Sequence, residues 1–273
     1  MATTSKHPWR ADYHTHTPLC LHAEGEPEAY VEAALAAGLS EYGISDHAPQ
    51  GPEPFDDWRM LEGDLPAYFN WIQRARDHAR QRLTIRCGLE VDWLPGNEEH
   101  IRHLSSLHQW DYLIGSVHYL GDQWDFDNPK WLGRWAETDL EVVWQQYWAA
   151  YAEMARSGLF DILGHPDLIK KFSYRPDGDL SRFYEPVLSA ILEGGAAIEL
   201  NTAGFHKPCA EQYPSAAFLK LAAAAHIPVT LSSDAHTPTE VARDFDRGIT
   251  LLQEAGYTHL NQWNQRKRIP IPL

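Results

Sequence analysis

The chain has 273 residues, with 23 Lys and Arg against 38 Asp and Glu, and carries a formal charge of −15 when its 15 histidines are neutral. That balance, with no clustered Lys or Arg, excludes a general nucleic-acid or anionic-membrane surface. Its 44% hydrophobic and 12% aromatic content fills a sizeable core and excludes disorder, and no apolar run nears the roughly 20 residues of a membrane span.

In chain order the pattern reads strand 10–14, helix 27–37, strand 41–45, helix 65–82, strand 83–91, helix 97–108, strand 111–117, helix 139–156, strand 160–164, helix 181–193, strand 197–201, helix 215–225, strand 228–232 and helix 238–255. The first helix has the clearest ends: Pro27 in its first turn beside Glu26 and Glu28, and Gly38 where a left-handed cap belongs. Such alternation implies parallel pairing through crossovers. Seven units in one chain favour an α/β fold closed as a distorted (β/α)7 TIM-like barrel, a single domain over residues 8–273. Two long connections, 48–64 and 119–138, are candidate walls of a pocket. The first ten residues lack the apolar stretch of a secretory signal, and Cys20, Cys87 and Cys209 are too few and too far apart for a disulfide framework. A cytoplasmic protein is expected.

The histidines are placed rather than scattered. In Asp12-Tyr13-His14-Thr15-His16 two of them stand two apart at a strand end, so strand alternation aims both at one face. His22 follows in a short loop. Later strands carry or end in Asp46-His47, Leu89-Glu90, Val117-His118, Gly164-His165 and Asp234-Ala235-His236. Six of the seven strands therefore hold a metal-competent group at or near the C-terminal end, where parallel α/β folds build active sites. One such histidine alone is more often a hydrogen-bonded or surface residue; seven with a Glu and an Asp are not expected by chance. His7, His78, His100, His103, His108, His226 and His259 read as solvated or packing residues. A nitrogen and oxygen donor set without thiolate suits Zn, Mn or Fe, and nine ligands imply two or three ions, with Glu90 the natural bridge.

These residues resemble the PHP (polymerase and histidinol phosphatase) superfamily. His14-x-His16, His22, His47, Glu90, His118, His165 and Asp234-x-His236 occur in that family's order over nearly the whole chain. The segments HTHTPLCLHAEGEP, ISDHAP, GLEVDW, GSVHYLGDQWDFDNP, GHPDLIKKF, ELNTAGFHKP and LSSDAH are similar to stand-alone histidinol-phosphate phosphatases. The resemblance implies three divalent ions at the barrel's C-terminal mouth: one on His14, His16, Glu90 and Asp234, a second on Glu90, His118 and His165, a third on His22, His47 and His236. It also implies hydrolysis of L-histidinol phosphate in histidine biosynthesis. The family's sixth-strand segment reads NTAG, an apolar residue, then Arg-Lys-Pro. Here Asn201-Thr202-Ala203-Gly204-Phe205-His206-Lys207-Pro208 puts His206 at the arginine, so His206 or Lys207 would have to stand in for its fork.

The chemistry expected is in-line attack on phosphorus by a hydroxide bridging two ions held by Glu90 and Asp234. Asp234, Asp46, His206 or a water would protonate the leaving group. Lys170, Lys171, Arg175, Asn201, His206 and Lys207 are the candidate substrate contacts. Asp56, Asp57, Trp124, Asp125, Asp127 and Asn128, in the two long connections, could receive the cationic imidazole-bearing end, with loop packing the plainer role for the tryptophans. The partner expected is thus a small phosphorylated amino alcohol, acted on by a monomer or small homo-oligomer. The rival readings are a PHP phosphoesterase for another monoester or nucleotide, a non-catalytic PHP module, which should have lost ligands, and an amidohydrolase-type barrel, whose ligand order gives no third histidine triad.

Overall fold

A computed structural model of the chain describes residues 10–51 and 55–273; His7 and the expected domain start at residue 8 lie outside them. Its elements run β1 (Ala11–Asp12), α1 (Pro27–Ala36), β2 (Glu41–Ile44), α2 (Leu65–Ala79), β3 (Thr84–Asp92), α3 (Glu98–Ser106), β4 (Tyr112–Ser116), a small hairpin of β5 (Tyr119–Leu120) and β6 (Trp124–Asp125), α4 (Leu132–Ala136), α5 (Leu140–Arg156), β7 (Ile162–Leu163), α6 (Ser181–Gly194), β8 (Ala197–Asn201), α7 (Ala216–Ala224), β9 (Val229–Ser232), α8 (Phe245–Ala255), and a terminal hairpin of β10 (His259–Asn264) and β11 (Lys267–Pro272). Seven strands pair in the order β1-β2-β3-β4-β7-β8-β9, every pair parallel. This is the α/β barrel expected, nearly closed. No helix among the described residues is long and apolar enough to cross a membrane.

Local chemistry explains the surrounding helices. α5 is capped by Asp139, whose carboxylate accepts from the Glu141 and Val142 amides, and it buries Val143, Trp144, Tyr147, Trp148 and Tyr151 along one face. α1 begins on Pro27 and ends before Gly38, which takes the left-handed conformation at φ 73°. The outward residues of the strands, such as Leu89 and Val91 of β3 and Ile198 and Leu200 of β8, join these helices in the main core.

Inside the barrel a second apolar cluster forms the floor: Ala11, Tyr13, Tyr112, Ile114, Ile162 and Ala197, closed from below by Trp263 of β10. The Tyr112 ring fills this space so fully that a Cβ on Gly88 would lie 2.5 Å from it. Hydrogen bonds fix the terminal hairpin beneath the strands: Asn261 Nδ2 donates to Val229 O (2.8 Å), Arg86 Nη1 to Asn264 Oδ1 (2.9 Å) and Arg266 Nη2 to Leu159 O (2.7 Å). Above the floor the inward positions turn polar, beginning with Glu90, Ser116, Glu199 and Asn201, all buried.

One seam is incomplete. Between β1 and β9 the described residues form no ladder, only an isolated parallel bridge of Thr15 with Ala235. His16 N–H donates to Ala235 O (2.9 Å) and Ala235 N–H to His14 O (3.3 Å). The Asp12 carboxylate adds to this join by accepting from the Ser233 and Ala242 amides, each at 3.0 Å.

Besides the terminal hairpin, which the sequence pattern does not predict, the expectations differ from this structure chiefly in three respects. β1 and β7 are two residues each, shorter than the runs 10–14 and 160–164. The 119–138 connection holds the β5–β6 hairpin and α4 rather than open loop. The expected helix 238–255 is broken: Pro238–Glu240 forms one 3-10 turn, Ala242 and Asp244 take positive φ, and α8 starts only at Phe245. Tertiary hydrogen bonds outweigh helix propensity there, because Ala242 N–H is drawn to Asp12 and Arg243 O accepts from Thr202 Oγ1 (2.8 Å).

Candidate metal centre

At the C-terminal mouth the strand ends bring all nine expected ligands together. Glu90, from the inward face of β3, lies at the middle. Its Oε2 is 2.8 Å from His47 Nδ1, 3.3 Å from His14 Nε2 and 3.7 Å from His16 Nε2. Its Oε1 is 2.9 Å from His165 Nε2 and 3.6 Å from His118 Nε2. Asp234 Oδ1 approaches His16 Nε2 at 3.1 Å and His14 Nε2 at 3.8 Å. The His22 and His236 Nε2 atoms are 3.0 Å apart. His14 and His16 both reach the cluster because Thr15 between them turns away, its Oγ1 donating to Gly43 O (2.8 Å).

These donors fit metal ions better than they fit one another. His14 Nε2, His47 Nδ1 and Glu90 Oε2 are buried, yet no hydrogen bond satisfies them among the described residues, despite their short separations. Buried polar atoms that converge without bonding want a shared cation. Several groups of three donors lie within 4.8 Å of one another, among them His14, His16 and Glu90, and His16, His47 and His236. Cys20 stands beside this set, near His22 and His236. Burial pushes its thiol well above the ordinary range. Two of the expected ligands also hold a left-handed backbone: His165 and Asp234 are non-glycine residues at φ 21° and 54°.

The electrostatics divide the histidines. Burial pushes His47 and His236 well below the ordinary histidine range and lowers His22, leaving their lone pairs free. Burial also opposes charge on His16 and His118, but Asp234 and Asp46 around the first, and Asp92 and Glu90 around the second, hold each up to about 9. Glu90 and Asp234 would be raised by burial, yet the facing imidazoles hold both well below the carboxylate range.

Behind the cluster lies a set of residues the sequence reading did not single out as supports. Glu199 of β8 lies 3.0 Å from His14 Nδ1 and also accepts from the His165 amide (2.6 Å) and Asn201 Nδ2 (3.0 Å). Asp92 accepts from His118 Nδ1 (2.7 Å) and pairs with the buried Arg59 (2.7 Å). Asp46 lies 3.3 Å from His16 Nδ1. A carboxylate on the far nitrogen fixes the tautomer and turns the other nitrogen to the metal. Glu199→Gln is therefore expected to lower metal affinity about 10- to 100-fold, as read by titration of metal into stripped protein; unchanged affinity would show that the Glu199 charge does not support His14.

The expected ligands open into a cavity of about 480 Å³ lined also by Asp57, Trp58, Asp125, Asp127, Asn128, Lys171, Lys207, Glu240 and Arg243. Among the substrate contacts expected from sequence, Lys171 and Lys207 line it, and Asn201 stands behind, donating to Asp234 Oδ2 (3.2 Å). Lys170, Arg175 and His206 do not line it. Lys170 is buried against Asp167 (3.0 Å) and Gln212 O (2.7 Å), Arg175 pairs with Glu211 (2.8 Å) at the surface, and His206 Nε2 turns outward to Asp244 Oδ2 (2.6 Å). Nor does Trp124: it is buried in the core against Trp135, the packing role. The aromatic wall comes from Trp58 instead, set edge-on to His47 at 4.8 Å and His118 at 5.5 Å between ring centroids. Arg243, hidden in sequence inside an expected helix, reaches the cavity as well.

Residues 12–203 match the family of the PHP domain. A Deinococcus radiodurans protein named "Probable histidinol-phosphatase" is 42% identical over 246 residues, 90% of this chain and 93% of that protein. The Bacillus subtilis histidinol-phosphatase is 28% identical over 260 residues, 87% and 97% of the two chains. Among solved structures, the Lactococcus lactis histidinol phosphate phosphatase, complexed with Zn, L-histidinol and phosphate, shares the fold with a TM-score of 0.78 at 23% identity, over 96% of this chain and all of that one.

Proposed function

The chain belongs to the PHP domain family, and from that premise we propose that it is a histidinol-phosphatase, a metal-dependent hydrolase that converts L-histidinol phosphate to L-histidinol and phosphate. The observation that carries this reading is the convergence of five imidazole nitrogens on one buried carboxylate, Glu90, in a chain 42% identical to a relative named for that activity.

Three divalent ions, zinc, iron or manganese, would be held by His14, His16, Glu90 and Asp234, by Glu90, His118 and His165, and by His22, His47 and His236. Bound there, they would supply Lewis acidity at the phosphoryl oxygens and make water a competent nucleophile near neutral pH. The chain's own part is placement. Glu90 stands at the middle of the cluster and Asp234 beside His14 and His16, and Glu199, Asp46 and Asp92 fix the rings of His14, His16 and His118. The imidazole-bearing end of the substrate would lie toward Trp58, Asp57, Asp125 and Asn128, where acidic and aromatic groups line the cavity. The same reading makes the chain one cytoplasmic domain over 8–273, active as a monomer or a small homo-oligomer.

Phosphate release from L-histidinol phosphate, measured beside a panel of other monoesters and a diester, tests the assignment. L-Histidinol phosphate should have the highest kcat/KM. Strong turnover of another ester with near-zero turnover of this one would transfer the site to a different phosphomonoester.

A further inference from the structure

The basic residues near the mouth differ in what they are free to do. Lys170 and Arg175 point elsewhere, and Lys171, though in the cavity, is tied to Asp127 at 2.9 Å. Lys207 lines the cavity with no ion pair or side-chain hydrogen bond among the described residues, and it is exposed. Arg243 also lines it, and its one ion pair among the described residues is with Glu240, with Nη1 3.2 Å from Oε1. That contact lacks hydrogen-bond geometry, so the guanidinium retains its full set of donors.

The position of Arg243 is built rather than incidental. Thr202 Oγ1 at the end of β8 donates to Arg243 O (2.8 Å), and Ala242 N–H is anchored on Asp12 (3.0 Å). Glu240, its ion-pair partner, uses Oε2 to accept from the amide of His236 (2.9 Å). One carboxylate thus joins Arg243 to a residue of the cluster. His206 stands on the same loop pair but spends its Nε2 on Asp244, which ties the 203–206 turn to the segment carrying Arg243.

We propose that Arg243, assisted by Lys207, is the residue that grips the substrate's phosphate, taking the part that position 206 cannot play in this chain. The proposal rests on the phosphomonoesterase reading above. A guanidinium offers paired N–H donors to two phosphoryl oxygens, which an imidazole does not, and a free ammonium adds a point charge beside it.

The test is binding of inorganic phosphate to the metal-loaded enzyme by calorimetry, together with KM and kcat on L-histidinol phosphate. Arg243→Gln should weaken phosphate binding about ten-fold or more and raise KM more than it lowers kcat. Arg243→Lys, which keeps the charge, should fall between it and the parent. His206→Arg should leave phosphate affinity within about two-fold, because the side chain starts outside the cavity. Equal affinity for the parent, Arg243→Lys and Arg243→Gln would overturn the proposal, as would a ten-fold gain from His206→Arg. If L-histidinol phosphate is not turned over but phosphate binding still depends on Arg243, the substrate assignment fails and the anion site stands. If it is turned over and Arg243→Gln binds phosphate as the parent does, the reverse holds.

Discussion

Glu90→Gln is expected to lower phosphate release by about 1,000-fold or more and to reduce the number of ions bound per chain. The substitution keeps the shape of the side chain and leaves one oxygen to accept from Ser116 Oγ, now at 2.7 Å. What it removes is the negative charge and one of two acceptor oxygens, which together face five imidazole nitrogens. An amide presents N–H donors to whatever occupies the space on one side, and a cation there would meet a dipole of the wrong sign. The backbone of β3 keeps its parallel pairing with β4, so the fold should survive. Elemental analysis and a phosphate assay on the same preparation decide the matter: a full complement of ions with activity within ten-fold of the parent would remove Glu90 from the bridging position.

Chelation should abolish turnover and also lower the melting temperature. The second readout does not depend on catalysis. An ion bound to the native state and not to the unfolded chain stabilises by RT ln(1 + [L]/Kd), about 4 kcal/mol at a thousand times Kd. For a chain of this size that is a shift on the order of 10 °C. Resupplying zinc, iron or manganese should restore both readouts, with three ions per chain in fully active protein. Turnover that persists after the ions are shown to be gone would rule out the mechanism altogether.

How much of this was legible in the sequence depends on where each residue's partner lies. The nine proposed ligands announce themselves because a strand end repeats in the sequence as an apolar run followed by His, Glu or Asp, and six such ends can be compared with one another. Glu199 had a weaker signal, a carboxylate inside the apolar run Ala197–Asn201, but its partner His14 is 185 residues away, and nothing local pairs them. Arg59 acts on His118 through Asp92, from a connection without regular pattern. The terminal hairpin escaped for a different reason. Its two-residue turn puts Gln265 and Arg266 at positive φ, where such turns usually carry Asn or Gly, so the usual marker is missing. Arg243 was concealed by helix propensity, since the tertiary bonds that unwind 241–244 come from β1 and β8.

The incomplete seam between β1 and β9 has a consequence for the order in which the protein can be made. His16 and Asp234 meet across 218 residues of chain, and they meet on the two sides of that seam. At ribosomal speeds of about 5–20 residues per second, the first histidines wait ten seconds or more, already synthesised, before the last strand arrives to complete their group. A nascent chain can assemble the middle of the barrel early, but it cannot own a finished centre until Asp234 and His236 have been translated. Any ion captured sooner would be held by a partial and exchangeable set of donors. Maturation is thus tied by topology to the synthesis of β9 and the residues just after it.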